Sequence, residues 1–226
     1  MSLYPRVTHR QYGASVLITP PAEEPVTAAE LRAHMKLDSA QLSDADANTY
    51  ITMARNFIER VEGLAIIAQT WEYTLDRWPQ VSDNWWSGVR DGATTDVFSS
   101  AGRHIFLPVY PLTGVNSITT YDTAGTPTSV VVATVFEVDT AAKPGKITLK
   151  DGQVWPTATR ENEAIVINYS SSYAADASGV DELLKQAVKL FATVLWTNRG
   201  DSCDMRNMYK TSGAEQLLLP YAVKSL

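Results

Sequence analysis

Apolar residues recur at helical spacing near both ends of the chain and alternate with polar ones between. Over residues 44–62, Tyr50, Ile51, Ala54, Phe57, Ile58 and Val61 form one stripe along a helix. Asp44 and Asp46 favour the positive end of that helix, and Gly63 fits the position just past its C-terminus. Leu184, Ala187, Val188, Phe191 and Leu195 repeat the spacing and predict a second long helix over 180–197. A shorter helix over 27–36 opens on Thr27-Ala28-Ala29-Glu30. This is the spacing of a capping box, in which Thr27 accepts from the Glu30 amide and Glu30 reaches back to the Thr27 amide. Lys36-Leu37-Asp38-Ser39 ends it.

From Ile66 the period drops to two. Gln69–Asp76 alternates aromatic or apolar with polar residues, which predicts a half-buried strand. Ile105–Leu107, Val115–Tyr121, Ser129–Val138, Lys146–Leu149 and Ala164–Tyr169 follow as short strands. Asp122-Thr123-Ala124-Gly125 and Lys143-Pro144-Gly145-Lys146 are hairpin turns between some of them. Residues 80–102 have no period and read as a long loop, a length at which loops are usually functional. The first 26 residues carry Pro5, Pro20, Pro21 and Pro25 and read as an extended arm. Helices, strands, then a helix predict an α+β fold, a small helical bundle with an inserted antiparallel β unit of about five or six strands. The expected divisions are an arm (1–26), bundle helices (27–64), the β unit (65–175), a last bundle helix (176–199) and a docking tail (200–226).

Composition narrows the function classes. With 226 residues, 45% of them hydrophobic, the chain can bury a core without staples. Its single cysteine, Cys203, has no partner for an internal disulfide. The apolar runs Leu64–Ala68 and Val130–Phe136 fall far short of the ~20 residues that span a bilayer. Met1–Arg6 lacks the apolar stretch of a secretory leader, so the expectation is a soluble, intracellular protein without membrane contact. The net charge of −6 is the wrong sign for gripping phosphates. Nor does a local patch reverse it. Residues 1–64 hold 8 acids and 6 bases, residues 65–175 hold 11 and 7, and residues 176–226 hold 6 and 6. Tight nucleic-acid binding by the monomer is not expected on these grounds.

Candidate chemistry is thin. His9, His34 and His104 are far apart in sequence and Cys203 has no neighbouring ligand type, so neither a metal site nor a cofactor is expected. Gly145-Lys146-Ile147-Thr148 has the end of a phosphate loop without its first glycine and reads as a hairpin turn. Glu161 and Glu163 are spaced to share a strand face as paired carboxylates, but a solvated strand edge explains them. No serine sits in a nucleophile motif, and the reading is of a protein that is not an enzyme. Two features stand out from this background. Trp85-Trp86, in the aperiodic loop, suits either contact with a sugar or protein partner or a loop folded back on the chain. Leu217-Leu218-Leu219-Pro220-Tyr221, after a polar stretch, suits either capping the chain's own core or docking into a partner.

Several segments together resemble tailed-phage head–tail connector (head-completion adaptor) proteins of the prophage type. They are Leu17–Thr27 with the Ala28–Asp38 helix, Gln69–Pro79, Leu107-Pro108, Pro111-Leu112, Val115–Gly125, Ile165–Tyr173, the helix ending Trp196-Thr197-Asn198-Arg199, and Leu217–Tyr221. The similarity spans about 17–221. The segment 80–102 is longer than usual, and Ser170-Ser171-Ser172-Tyr173 stands where a glycine-containing turn is expected. The resemblance implies a non-enzymatic ring, typically of twelve subunits, in the virion at the head–tail interface. Such a ring sits below the portal protein, meets a neck, stopper or tail-completion protein on its other side, and lets DNA pass without holding it. On this reading Leu217, Leu218, Leu219, Pro220 and Tyr221 dock on the portal, and the stripe-free faces of 44–62 and 180–197 meet neighbouring subunits. The competing reading is a non-catalytic carbohydrate- or protein-binding β module that uses Trp85 and Trp86.

Overall fold

The computed structural model describes residues 13–79, 102–200 and 204–222. Trp85 and Trp86, His9 and Cys203 lie outside them. In chain order the elements are β1 (Gly13–Thr19), α1 (Ala28–Met35), α2 (Asp44–Glu62), β2 (Gln69–Leu75), β3 (His104–Phe106), β4 (Leu112–Tyr121) and β5 (Pro127–Val130). Then come α3 (Val132–Val135), β6 (Phe136–Asp139), β7 (Lys146–Leu149), β8 (Ile165–Ser171), α4 (Glu182–Thr197), α5 (Met205–Thr211) and α6 (Ala214–Leu218). The fold is α+β, with two antiparallel sheets ordered β1-β2-β8-β4-β5 and β3-β7-β6.

The described residues divide into a helical unit (19–70, 109–111 and 171–222) and a sheet unit (13–18, 71–79, 102–108 and 112–170). In the helical unit, α1 begins with the expected capping box: the Thr27 amide donates to Glu30 Oε2 at 2.7 Å and the Glu30 amide to Thr27 Oγ1 at 3.2 Å. Ser43 caps α2 by accepting from the Asp46 amide, and Gly63 ends it at φ 71°, where any side chain would be strained. The α2 stripe that reaches full burial is Ala47, Ile51, Ala54 and Ile58. It meets Leu184, Ala187, Val188 and Phe191 of α4 in one core with Leu31. Phe57 is half-buried, its ring 5.1 Å from Phe191 and 5.6 Å from Tyr209.

In the same unit, three extended pieces of chain bond to one another. Ala65 and Tyr110 exchange through Ala65 N–H to Tyr110 O at 2.8 Å, and Tyr173 N–H and Ala174 N–H donate to Ala65 O and Ile66 O. A buried ionic cluster fixes this region. Arg55 donates to Glu59 Oε2 at 2.7 Å and, through Nε, to Glu24 Oε2 at 2.7 Å. The other oxygen of Glu59 accepts from the Ile66 amide at 2.9 Å and from Gln69 Nε2 at 2.7 Å. Arg55 and Glu59 are 4% and 7% exposed, so each charge is held by partners in place of water.

In the sheet unit, Trp78 stacks on Trp155 at 4.7 Å and lies 5.8 Å from Phe136, and its indole N–H donates to the Pro156 carbonyl. Asp122 builds the β4–β5 turn by accepting from the amides of Ala124 and Thr126 at 2.9 and 2.8 Å. Residues 140–145 close the β6–β7 hairpin. A Cβ at Gly145 would collide with the Leu112 side chain, so glycine is demanded there by packing. Gly145-Lys146 is thus a hairpin end rather than a phosphate loop.

Three expectations are corrected. Part of the arm, Gly13–Thr19, is strand β1 at a sheet edge. The strand expected over Ser129–Val138 is broken by α3, whose turn closes where the Thr134 and Val135 amides donate to the Val131 carbonyl, and which carries the chain from one sheet to the other. With β1 added and α3 dividing one strand in two, the described residues hold sheets of five and three strands. The residues after 200 include α5 and α6, because Asp204 caps α5 through the Arg206 amide and Tyr209 and Ala214 are buried.

The ionic cluster makes a quantitative prediction. Replacing Arg55 with Met strands Glu59 without its cation and should cost about 3–5 kcal/mol in urea unfolding. Arg160→Met, at an exposed 3.7 Å pair with Glu163, should cost under about 1 kcal/mol.

Candidate functional site

The side chains that could carry catalysis lie on separate elements. His34 lies on α1 and His104 on β3, where its Nδ1 pairs with Thr148 Oγ1 at 2.9 Å. Glu161 and Glu163 precede β8 in a bend and not on a strand: Glu163 has φ 50° and its amide donates to Asp76 Oδ1 at 2.8 Å. That left-handed bend turns the two carboxylates off any shared strand face, and both are exposed. Asp44 and Asp46 sit in the first turn of α2 as expected for helix capping, with Asp46 bonded to the Ser43 hydroxyl. Among the described residues no three His, Cys, Asp or Glu side chains converge as a metal site, and no helix is long and apolar enough to cross a membrane. A shallow open depression of about 840 Å³ in the sheet unit is lined in part by Val115, Phe136, Glu137 and Lys150. Lys150 is used there to bond the Ala133 carbonyl of α3.

The closing segment has more structure. After α5, Gly213 turns the chain into α6, which seats Ala214 and Leu218 in the helical core at 0% and 1% exposure. Leu217 packs half-buried on the same core. Leu219 is 62% exposed and Pro220 is also at the surface. Tyr221 folds back: its amide donates to the Leu218 carbonyl at 2.9 Å and its ring meets Tyr173 edge-on at 5.2 Å. The Tyr173 hydroxyl donates to the Tyr221 carbonyl at 3.4 Å.

The Tyr221 hydroxyl bonds Asp181, the N-cap of α4, which also accepts from the Leu183 amide at 2.9 Å. Partial burial and then the Asp181 carboxylate push the Tyr221 pKa up to about 12. The Leu183 amide and the Tyr221 hydroxyl in turn hold the Asp181 carboxyl below its ordinary 3.8. Of the five residues expected to dock outward, the structure brings Leu217, Leu218 and Tyr221 onto the chain's own core. Leu219 and Pro220 are left facing solvent.

This arrangement is one that has been seen elsewhere. The fold is that of chains in gene transfer agent necks. Over 94% of this chain and 97% of the other, it matches a chain in the neck of an empty gene transfer agent particle computed with C6 symmetry, at TM-score 0.66 and 20% identity. It matches a chain of the virion of the native particle at TM-score 0.64 and 19% identity, over 94% and 97%. A chain in the neck of the native particle computed with C12 symmetry matches at TM-score 0.59 and 20% identity, over 93% and 97%. The sequence matches no known family profile and no curated protein.

Helices α5 and α6 are the parts of this site that the sequence reading missed. Met205, Met208 and Tyr209 fall at i, i+3 and i+4 behind Asp204, a helix start signal in a segment read only as polar.

Leu218→Ala should lower stability by about 2–5 kcal/mol, whereas Leu219→Ala should stay within about 0.5 kcal/mol of wild type in the same urea titration. Tyr221→Phe removes one bond to the Asp181 carboxylate. Its pKa, read by carboxyl NMR titration, should then move upward towards the ordinary value. Because the Asp181 pKa is depressed in the folded chain, its stabilising bonds are complete above the unfolded value and are lost as pH falls through the folded one.

Proposed function

We propose that this chain is a structural head–tail connector in the neck of a tailed-phage-like particle. It acts as one subunit of a ring below the portal that completes the DNA-filled head and offers the tail its platform. The observation that carries the reading is the end-to-end match of its fold to neck chains, 94% of this chain against 97% of theirs. A match of that extent takes in most of both units, so it is not the sharing of one common motif. The symmetry with which those necks were computed, C6 and C12, supports a ring, and we assign twelve subunits.

The role is architectural rather than catalytic. A subunit of net charge −6, with no basic third, suits a channel through which DNA passes without being held. In the closing segment, Leu219 and Pro220 are the exposed members of the apolar cluster, and we assign the portal contact to them. Leu217, Leu218 and Tyr221 position that pair. Trp85 and Trp86 remain assigned to a partner on the neck, with a tail-side neck or stopper protein as the second contact of the ring.

Electron microscopy of the purified chain, alone and mixed with its portal protein, checks the reading. Rings of about twelve subunits attached to the portal are expected, and a chain that stays monomeric in both samples refutes it. Leu219→Asp should leave the fold intact and weaken portal binding at least about tenfold, as loss of an apolar anchor does. Unchanged binding would remove Leu219 from the portal contact.

A further inference from the structure

Sheet edges carry unpaired N–H and C=O groups, and proteins commonly blunt them with charges, prolines or very short strands. The three-stranded sheet follows this rule. Its edge β3 is three residues long and carries His104, and its edge β6 carries Glu137 and Asp139. The five-stranded sheet departs from it at both ends. Edge β1, Gly13-Ala14-Ser15-Val16-Leu17-Ile18-Thr19, has seven residues without a charge or a proline. Val16 and Ile18, two apart and therefore on one face, are each 51% exposed. Edge β5, Pro127-Thr128-Ser129-Val130, is also uncharged, blunted only by its first residue, and the chain leaves it through Val131 at 66% exposure. Among the described residues no strand lies beyond β1 or β5.

We propose that β1 of one subunit pairs with β5 of a second copy of this chain, joining the five-stranded sheets edge to edge around the ring. The proposal rests on the ring reading above and adds a sheet-edge contact to the stripe-free helix faces expected to meet neighbouring subunits. A cyclic ring needs a heterologous contact, two different surfaces that fit each other. Pairing β1 with β1 is isologous and stops at two copies. Two uncharged edges at opposite ends of one sheet provide the required pair, because each end of the sheet finds its mate on the next subunit. Main-chain hydrogen bonds supply the attachment. Burial of Val16 and Ile18 sets the register, since a slip of one residue would turn both to the other face.

Engineered disulfides test this on the full-length chain in a Cys203→Ser background. Val16→Cys is combined with Ser129→Cys, and Ser15→Cys and Thr128→Cys cover neighbouring registers. Within one subunit the two edges are four strand spacings apart, about 19 Å, whereas a disulfide needs Cα atoms within about 7 Å. A bond between them therefore joins two chains. Oxidised rings should run on a denaturing gel as a ladder of covalent multimers, and each single-cysteine variant as a monomer. Val16→Lys with Ile18→Lys should leave the monomer's circular dichroism and melting unchanged while raising the concentration needed for ring assembly at least tenfold. Rings seen by electron microscopy that never cross-link between β1 and β5 at any register overturn the proposal and leave the neck reading standing. Covalent dimers from Val16→Cys alone overturn it in favour of a β1–β1 contact. Absence of rings in every sample, portal included, overturns both.

Discussion

The helical unit depends on one buried charge arrangement. Arg55 and Glu59, a turn apart on α2, are both withdrawn from water. They are tolerable there only because Glu24, the Ile66 amide and Gln69 come to them. Each of those partners arrives from a different piece of chain: the lead-in before α1, the turn after α2 and the start of β2. An apolar core is non-directional and would accept several placements of these pieces. Five hydrogen-bonding groups with fixed geometry accept far fewer. The cluster therefore sets where the chain enters α1 and how it leaves α2, and the packing of α4 and the closing helices on that frame follows.

What could be read from the sequence was what repeats or caps. The α2 and α4 stripes, the Thr27–Glu30 box and the Asp122 turn are local patterns, and each formed where its spacing put it. What could not be read was set by residues far apart in the chain. Arg55 and Glu59 look like an ordinary surface pair at i, i+4, and nothing in the sequence ties Glu24 or Gln69 to them. The run Val130–Phe136 is apolar but for Thr134, so no period marks the place where α3 divides it. Strand β1 forms only because β2 lies beside it, and its prolines stand just outside, at Pro20 and Pro21. The candidate site was legible as an apolar cluster at Leu217–Tyr221. Its division into inward and outward residues depends on α6, whose five residues are too few to show a period.

The closing segment and the sheet edges pose the same question, how a chain limits the apolar surface it leaves to solvent. Unit by unit the answers differ. The C-terminal segment spends most of its apolar residues on its own core, and Tyr221 is held through Tyr173 and Asp181. Among the described residues the sheet leaves its uncharged edges open at opposite ends, so that one chain cannot pair one with the other.

The helical unit is assembled from 19–70, 109–111 and 171–222, with the greater part of the sheet unit lying between. During synthesis α2 leaves the ribosome about 120 residues ahead of α4, which covers it, roughly 6–24 s at ~5–20 residues per second. Through that interval its apolar stripe has no α4 to pack on. Arg55 and Glu59, still hydrated, are then solubilising charges on an uncovered helix. The same two side chains that lock the finished unit thus protect its first half from aggregation while the second half is being made.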